Sequence, residues 1–275
     1  MSFLEEFSEF VREHGISGGF TPVPVFARSE DEARAQQSEL QALVGQTSFV
    51  VEDRWRSRPE QTQARILAHA GVFTQVYARN CELRRIDKPT AAAFLEESHD
   101  YADALCRYRY GLFIKRLTGE KQYDGTAPAA ADSAVIPHCA APLPAPGTLV
   151  AVAEFSNLRN LTLDGTRSRS CQWIRYASLP GIRVEGGMGK VLGGLIKDAD
   201  PDDVMTYADL EWSDGRAYRA LGFEFVDYRR PVLFRIDPIT WQRTAVGSRK
   251  DVSSPADSPL RYLNFGSARY RLRLR

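Results

Sequence analysis

Gly181-Ile-Arg-Val-Glu-Gly-Gly-Met-Gly-Lys-Val-Leu-Gly-Gly194 is the stretch on which the reading of this chain turns. The stretch holds six glycines, three of them (Gly186, Gly187 and Gly189) between a strand-like segment and a run with helical spacing, so it reads as a strand, then a glycine-rich turn and helix over Gly186–Asp198. At such a helix start several backbone N–H groups converge and the helix dipole favours an anion. Glycine lets the backbone approach a phosphate closely and adopt positive φ. Arg183, Gly186, Gly187, Met188, Gly189 and Lys190 are therefore candidates for a pyrophosphate cradle, with a purely tight turn as the competing reading. The stretch lacks the GxxxxGK[ST] of a P-loop, and it lies too late in the chain to be the first turn of a dinucleotide fold.

Working outward, the segments on both sides alternate strand and helix. Upstream, Val76–Ile86, Tyr108–Leu117, Leu149–Phe155 and Gln172–Ala177 are rich in β-branched and aromatic residues and read as strands, with a helix at Pro89–Glu97. Downstream come a strand at Val204–Ala208, a short helix at Ala217–Leu221 and a closing pair of strands, Phe223–Asp227 and Val232–Ile236. Residues 122–147, rich in Ala and Pro, read as a long exposed connection. The pattern predicts an α/β (α+β) fold, a mixed central sheet flanked by helices. The first 74 residues are different: helices over Ser2–His14, Ser29–Val44 and Pro59–His69, an extended Thr21–Ala27 and one strand, Ser48–Glu52. This α-rich region would bury only a thin core alone, and it is expected to dock on residues 75–275.

The bulk numbers narrow the function. The 275 residues carry 36 Lys and Arg against 35 Asp and Glu, a formal charge of +1, with 43% hydrophobic residues. That is ordinary globular composition and argues against coating nucleic acid or anionic lipid by bulk charge. The charge is unevenly spread. Arg261, Arg269, Arg271, Arg273 and Arg275 put five cations and no acid into the last fifteen residues, leaving the first 260 at a net −4. Alternation places Arg269, Arg271, Arg273 and Arg275 on one strand face and Tyr270, Leu272 and Leu274 on the other. This predicts a terminal edge strand with a solvated cationic side, or else a phosphate-contacting strip. Only six of the cations are lysines, and the arginine excess suits phosphate recognition or simply reflects base composition.

The four cysteines, Cys81, Cys106, Cys139 and Cys171, form no CxxC pair and read as reduced thiols. Adjacent His138 and Cys139 are too few ligands for a metal, so no metal site is expected. The acidic N-terminus is unlike a signal peptide, and no apolar run reaches the roughly 20 residues of a membrane span, which predicts a cytoplasmic protein.

Thirty residues beyond the glycines comes Tyr207-Ala-Asp-Leu-Glu-Trp-Ser-Asp-Gly-Arg-Ala-Tyr-Arg-Ala-Leu-Gly-Phe223. A Gly-rich strand-to-helix turn, a further strand, then Tyr-x-x-Leu-Gly-Phe before a final strand pair resembles the GNAT superfamily of acyl-CoA N-acyltransferases. The segments VYARNCEL, FLEESHD, YRYGLF, LVAVAEFSNLR, QWIRYAS, GGMGKVLGGLI and YLNFGSARY extend the likeness over residues 75–275, closest to a GNAT-like module of phage proteins often found behind a nuclease. VVEDRWRSRPEQTQARILAHAG resembles the tail of such a nuclease, without the acidic cluster that would hold its metal.

The resemblance implies that acetyl-CoA or a related acyl-CoA is bound, its pyrophosphate at Arg183–Lys190, its pantetheine amides along Trp173–Ser178 with Ala177 and Ser178 nearest the turn. The acyl group then passes to an amine by direct attack. Tyr218 is implied as the acid for the departing thiolate, and an unperturbed phenol, with pKa near ~10, is protonated at neutral pH. For a base, three residues compete. His99 has a suitable reference pKa. Glu154 interrupts an apolar strand and needs a partner such as Arg159 or Arg175. Asp209 ends a strand, where it also suits a turn cap. The match is imperfect at Met188, where Gly or Ala is usual. Two further readings stand beside acyl transfer. One is a nucleic-acid-associated module of mobile-element origin that modifies a base amine, contacting nucleic acid through the Arg-rich C-terminus. The other is a GNAT scaffold without catalysis.

Overall fold

A computed structural model of the chain describes residues 1–101, 104–115, 141–163, 165–248 and 260–275. Most of the Ala/Pro-rich stretch expected at 122–147, with His138 and Cys139, lies outside the described residues. In chain order the helices are α1 (Phe3–Glu13), α2 (Glu30–Leu40), α3 (Glu52–Ser57), α4 (Pro59–His69), α5 (Lys88–Ser98), α6 (Gly187–Ala199) and α7 (Arg216–Arg219). The strands are β1 (Phe20–Val23), β2 (Ser48–Val51), β3 (Thr74–Tyr77), β4 (Cys81–Arg85), β5 (Tyr108–Ile114), β6 (Leu149–Phe155), β7 (Arg159–Leu163) and β8 (Thr166–Ser178). They continue as β9 (Ile182–Glu185), β10 (Asp203–Asp209), β11 (Glu224–Arg229), β12 (Leu233–Ile236), β13 (Arg243–Ala245), β14 (Leu260–Leu263) and β15 (Ser267–Arg273).

An eight-stranded mixed sheet forms the centre, in the order β11-β15-β10-β8-β6-β5-β4, with β7 beside β8. Its one parallel pair is β8 with β10, and that pairing is short. Ser170, Cys171 and Gln172 face Asp203, Val204 and Met205, and there the ladder ends although β8 runs on to Ser178 and β10 to Asp209. β6 follows the far edge of β8 from Trp173 to Ser178. Among the described residues the other edge of this segment has no strand beside it, and the sheet splits.

The two long helices of this part pack by their apolar positions. α5, capped by Asp87 accepting from Thr90 N–H, buries Ala91, Phe94 and Leu95 on Val152 and Ala177. α6 sends Val191, Leu192 and Leu195 into the central core with Tyr110, Leu112 and Trp173. Both helices bury a stripe of fixed period, which is why the sequence shows them.

The expected Val76–Ile86 strand is two strands. A 3-10 turn at Ala78–Asn80 separates β3, which pairs parallel with β9, from β4, which pairs antiparallel with β5. The expected closing pair is likewise divided: β11 pairs with β15, while β12 joins β13 and β14 in a separate three-stranded sheet. The largest correction concerns the C-terminus. β15 is no edge strand; it lies between β10 and β11. Its cations are neutralised in place, Arg269 by Asp227 at 2.6 Å, Arg271 by Asp203 at 3.3 Å and Arg275 by Asp200.

The first 74 residues pack on this frame through two apolar clusters. Phe3, Phe7, Phe10, Trp55 and Ile66 gather with Trp212, and Val23, Val25, Phe49 and Val51 gather with Ile236, Tyr262 and Phe265. Among the described residues no helix is long and apolar enough to cross a membrane.

Candidate functional site

Where β8 and β10 part, the molecule holds a cleft of about 850 Å³. One wall is Tyr176–Arg183, the end of β8 and its connection to β9; the opposite wall is Leu210–Asp214 with Arg216, Ala217 and Ala220 of α7. The inner end is closed by Arg65 and His69 of α4, by Ser98, His99 and Asp100 after α5, and by Gln46–Ser48. α4 can form this wall because Pro59 starts it and its small residues, Ala64 and Ala68, face the space.

Of the expected cofactor residues, Ala177, Ser178 and Arg183 line the cleft, while Gly186, Gly187, Met188, Gly189 and Lys190 do not. The turn itself is tightly packed. Gly186 is the left-handed N-cap of α6, at φ +75°. A Cβ at Gly187 would collide with the Tyr176 hydroxyl and crowd Val184, so glycine is required by packing alone. Met188 is packed against the core. The Lys190 ammonium points back into the protein, donating to the carbonyls of Ala78 at 2.8 Å and Cys81 at 2.5 Å, where it holds the turn that divides β3 from β4. Beside this turn the Tyr176 hydroxyl is buried next to Ser178.

Tyr218, on α7, lies at the apex of the split, where its side chain hydrogen-bonds Thr206; it is half-buried and is not among the cleft-lining residues. Its ring packs edge-on against Trp173 at 5.9 Å and beside Phe223 and Tyr270. Burial pushes its phenol up, so it is protonated at neutral pH.

The three base candidates separate. Glu154 is fully buried and away from the cleft; it accepts from Ala104 N–H at 3.2 Å and pairs with Arg109 at 3.3 Å, the residue opposite it on β5. Arg109, rather than Arg159, thus pairs with it, while Arg175 stands opposite Glu154 on β8 as expected, and the role is structural. Asp209 caps its turn, accepting Glu211 N–H at 3.0 Å, and burial raises its carboxyl. His99 lines the cleft, but its Nδ1 accepts Tyr101 N–H at 3.0 Å, and burial with Arg175 and Arg65 nearby lowers its pKa to about 4. A neutral ring whose Nδ1 accepts carries its proton on Nε2. His99 is a hydrogen-bond donor rather than a base.

Sequence reasoning missed three contributors. Arg65 lies over the Trp212 ring at 4.2 Å and bonds the buried Asp100 carboxylate. Ser98 has a buried hydroxyl with no partner among the described residues, and Tyr176 has a buried hydroxyl beside Ser178. Their signal in sequence is faint: Ser98-His99-Asp100 is a polar run at a helix end, and Arg65 is one arginine of many. Behind the cleft a buried network joins distant segments, with Arg243 bidentate on Asp53 at 2.5 and 2.6 Å and Tyr262 donating to Glu211 at 2.7 Å. Among the described residues no three metal-ligating side chains cluster, and Cys81, Cys106 and Cys171 are free thiols.

No protein-family model matches the chain, and no curated protein matches its sequence.

Proposed function

We propose that the protein is a GNAT-type acyl-CoA N-acyltransferase. The observation that carries this reading is the split of the sheet beyond Met205 and Gln172, which leaves the Trp173–Ser178 edge of β8 facing an open cleft with α7 on its other side. An unpaired strand edge is a row of N–H and C=O groups, and a pantetheine arm with two amides can add to it as a strand would. The thioester then lies near the apex, where Tyr218, kept protonated by burial, supplies the proton to the departing thiolate. The amine enters from the α4 side and attacks the carbonyl directly. Its proton passes through a water to Asp209, whose raised carboxyl lies at the end of the parted β10, behind the cleft lining. The phosphates lie toward Arg183, which lines the cleft where Lys190 does not.

Titration calorimetry of the full chain with acetyl-CoA and with CoA tests this reading. Binding of both, with Tyr218→Phe retaining affinity and losing turnover about a hundredfold, is the expected result; no binding at millimolar cofactor would sink it. A second reading, a silent scaffold of the same fold, draws on the packed glycine turn and the inward Lys190, and it predicts binding of neither.

A further inference from the structure

This inference rests on the acyl-transfer reading and concerns the other substrate. At the inner end of the cleft, where α4 meets the end of α5, three hydrogen-bond donors share one wall. Arg65 is fixed in orientation by its stack on Trp212 and its bond to Asp100, made through Nη1; its Nε and Nη2 have no acceptor among the described residues. The Ser98 hydroxyl is buried and has no partner among the described residues. His99 presents Nε2–H, because its Nδ1 lone pair is taken by Tyr101 N–H.

The wall offers no matching acceptor. Asp100 is committed to Arg65 through its carboxylate and to Arg54 through its carbonyl, which receives Arg54 Nη1 at 3.3 Å. Arg175 also lies within reach of His99, and its guanidinium stands 5.2 Å from the Tyr101 ring centroid. Buried donors beside several cations are satisfied by a group with two acceptor oxygens and a negative charge. A single charge suits the site better than a double one, since the Asp100 carboxylate stands next to it and would repel a phosphate dianion.

We propose that Arg65, Ser98 and His99 bind the carboxylate of the acyl acceptor, which is accordingly a small amine carrying a free carboxylate, of the amino-acid class. The carboxylate docks on this wall and turns the neighbouring amine toward the apex at Trp173 and Tyr218.

The test uses the full chain, acetyl-CoA, and the standard L-amino acids offered both as free acids and as carboxamides, read by thiol release and by calorimetry. At least one free acid should bind and accept the acyl group, and its carboxamide should be at least about tenfold weaker. Ser98→Ala and Arg65→Lys should raise KM for that acid about tenfold while leaving acetyl-CoA affinity unchanged; Ser98→Ala, a small deletion, guards against loss of the Trp212 stack. Equal use of acid and carboxamide, or acceptance only of amines without a carboxylate, would overturn the proposal, as would failure of every amino acid to bind. If acetyl-CoA itself does not bind, the acyl-transfer reading falls. Calorimetry with the amino acids alone still decides the carboxylate site.

Discussion

Burial, with Arg175 and Arg65 nearby, holds His99 neutral, and Glu211 is held the other way. Burial and the neighbouring Asp209 raise the Glu211 carboxyl from 4.5 to about 7, while His99 falls from 6.5 to about 4. The signs oppose. Between pH 4.5 and 6.5 the folded chain holds a proton on Glu211 that the unfolded chain lacks, and the unfolded chain holds one on His99 that the folded chain lacks, so the two slopes cancel. Above pH 6.5 His99 is neutral in both states and Glu211 alone acts. Folding stability should therefore fall as pH rises from about 6.5 to 7.5, by under ~1 kcal/mol, and Glu211→Gln should abolish that fall. Urea unfolding at half-unit pH steps reads it; the same downward slope in the Gln variant would refute the assignment. The sequence exposes such titratable residues but not their partners. Glu154 announces itself by interrupting LVAVAEF, yet which arginine answers it depends on the β5–β6 register, which sets Arg109 opposite.

At the scale of elements, the helices were readable because each carries its own stop and start: Pro59 opens α4, Asp87 caps α5 and Gly186 caps α6. Strand ends were less so, because a strand ends where its partner does. VYARNCELRRI has uniform strand character, and it breaks at Ala78–Asn80 only because β9 claims one half and β5 the other. The alternating arginines of β15 look like a solvated edge until Asp203 and Asp227, on its two neighbours, supply the counter-charges. The glycine turn was legible as a turn, and its tightness has a measurable cause. Gly187→Ala should cost about 1–3 kcal/mol, because the new methyl meets the Tyr176 hydroxyl. Removing that oxygen relieves part of the collision, so Tyr176→Phe with Gly187→Ala should be less destabilised than the sum of the two single changes. Thermal unfolding of the four chains gives the coupling, and a neutral Gly187→Ala would show that the turn has room.

For the whole molecule, the question is whether the first 74 residues are a passenger or a wall. Three kinds of bond tie them to the rest. Trp212 completes the Phe3–Phe7–Phe10–Trp55 cluster, Phe49 stacks on Phe265 at 4.2 Å, and Asp53 of α3 holds Arg243 of β13. Asp53 and Arg243 are both almost fully buried, at 0% and 3% side-chain exposure, so neither charge is tolerable alone. Arg243→Ala should cost about 3–5 kcal/mol, more than Asp53→Asn with its retained shape, because it strands Asp53 beside the already strained Glu211. The same ties make the cleft a joint product, since α4 supplies Arg65 and His69 and the later sheet supplies Tyr176–Arg183. If so, the chain unfolds in a single calorimetric transition, and residues 75–275 alone expose Trp212, Ile236 and Tyr262 and lose near-ultraviolet circular dichroism. Two separate transitions, or a truncated chain with native aromatic signals, would mean that the N-terminal region is an appendage. The inner wall of the cleft would then belong to a separable part.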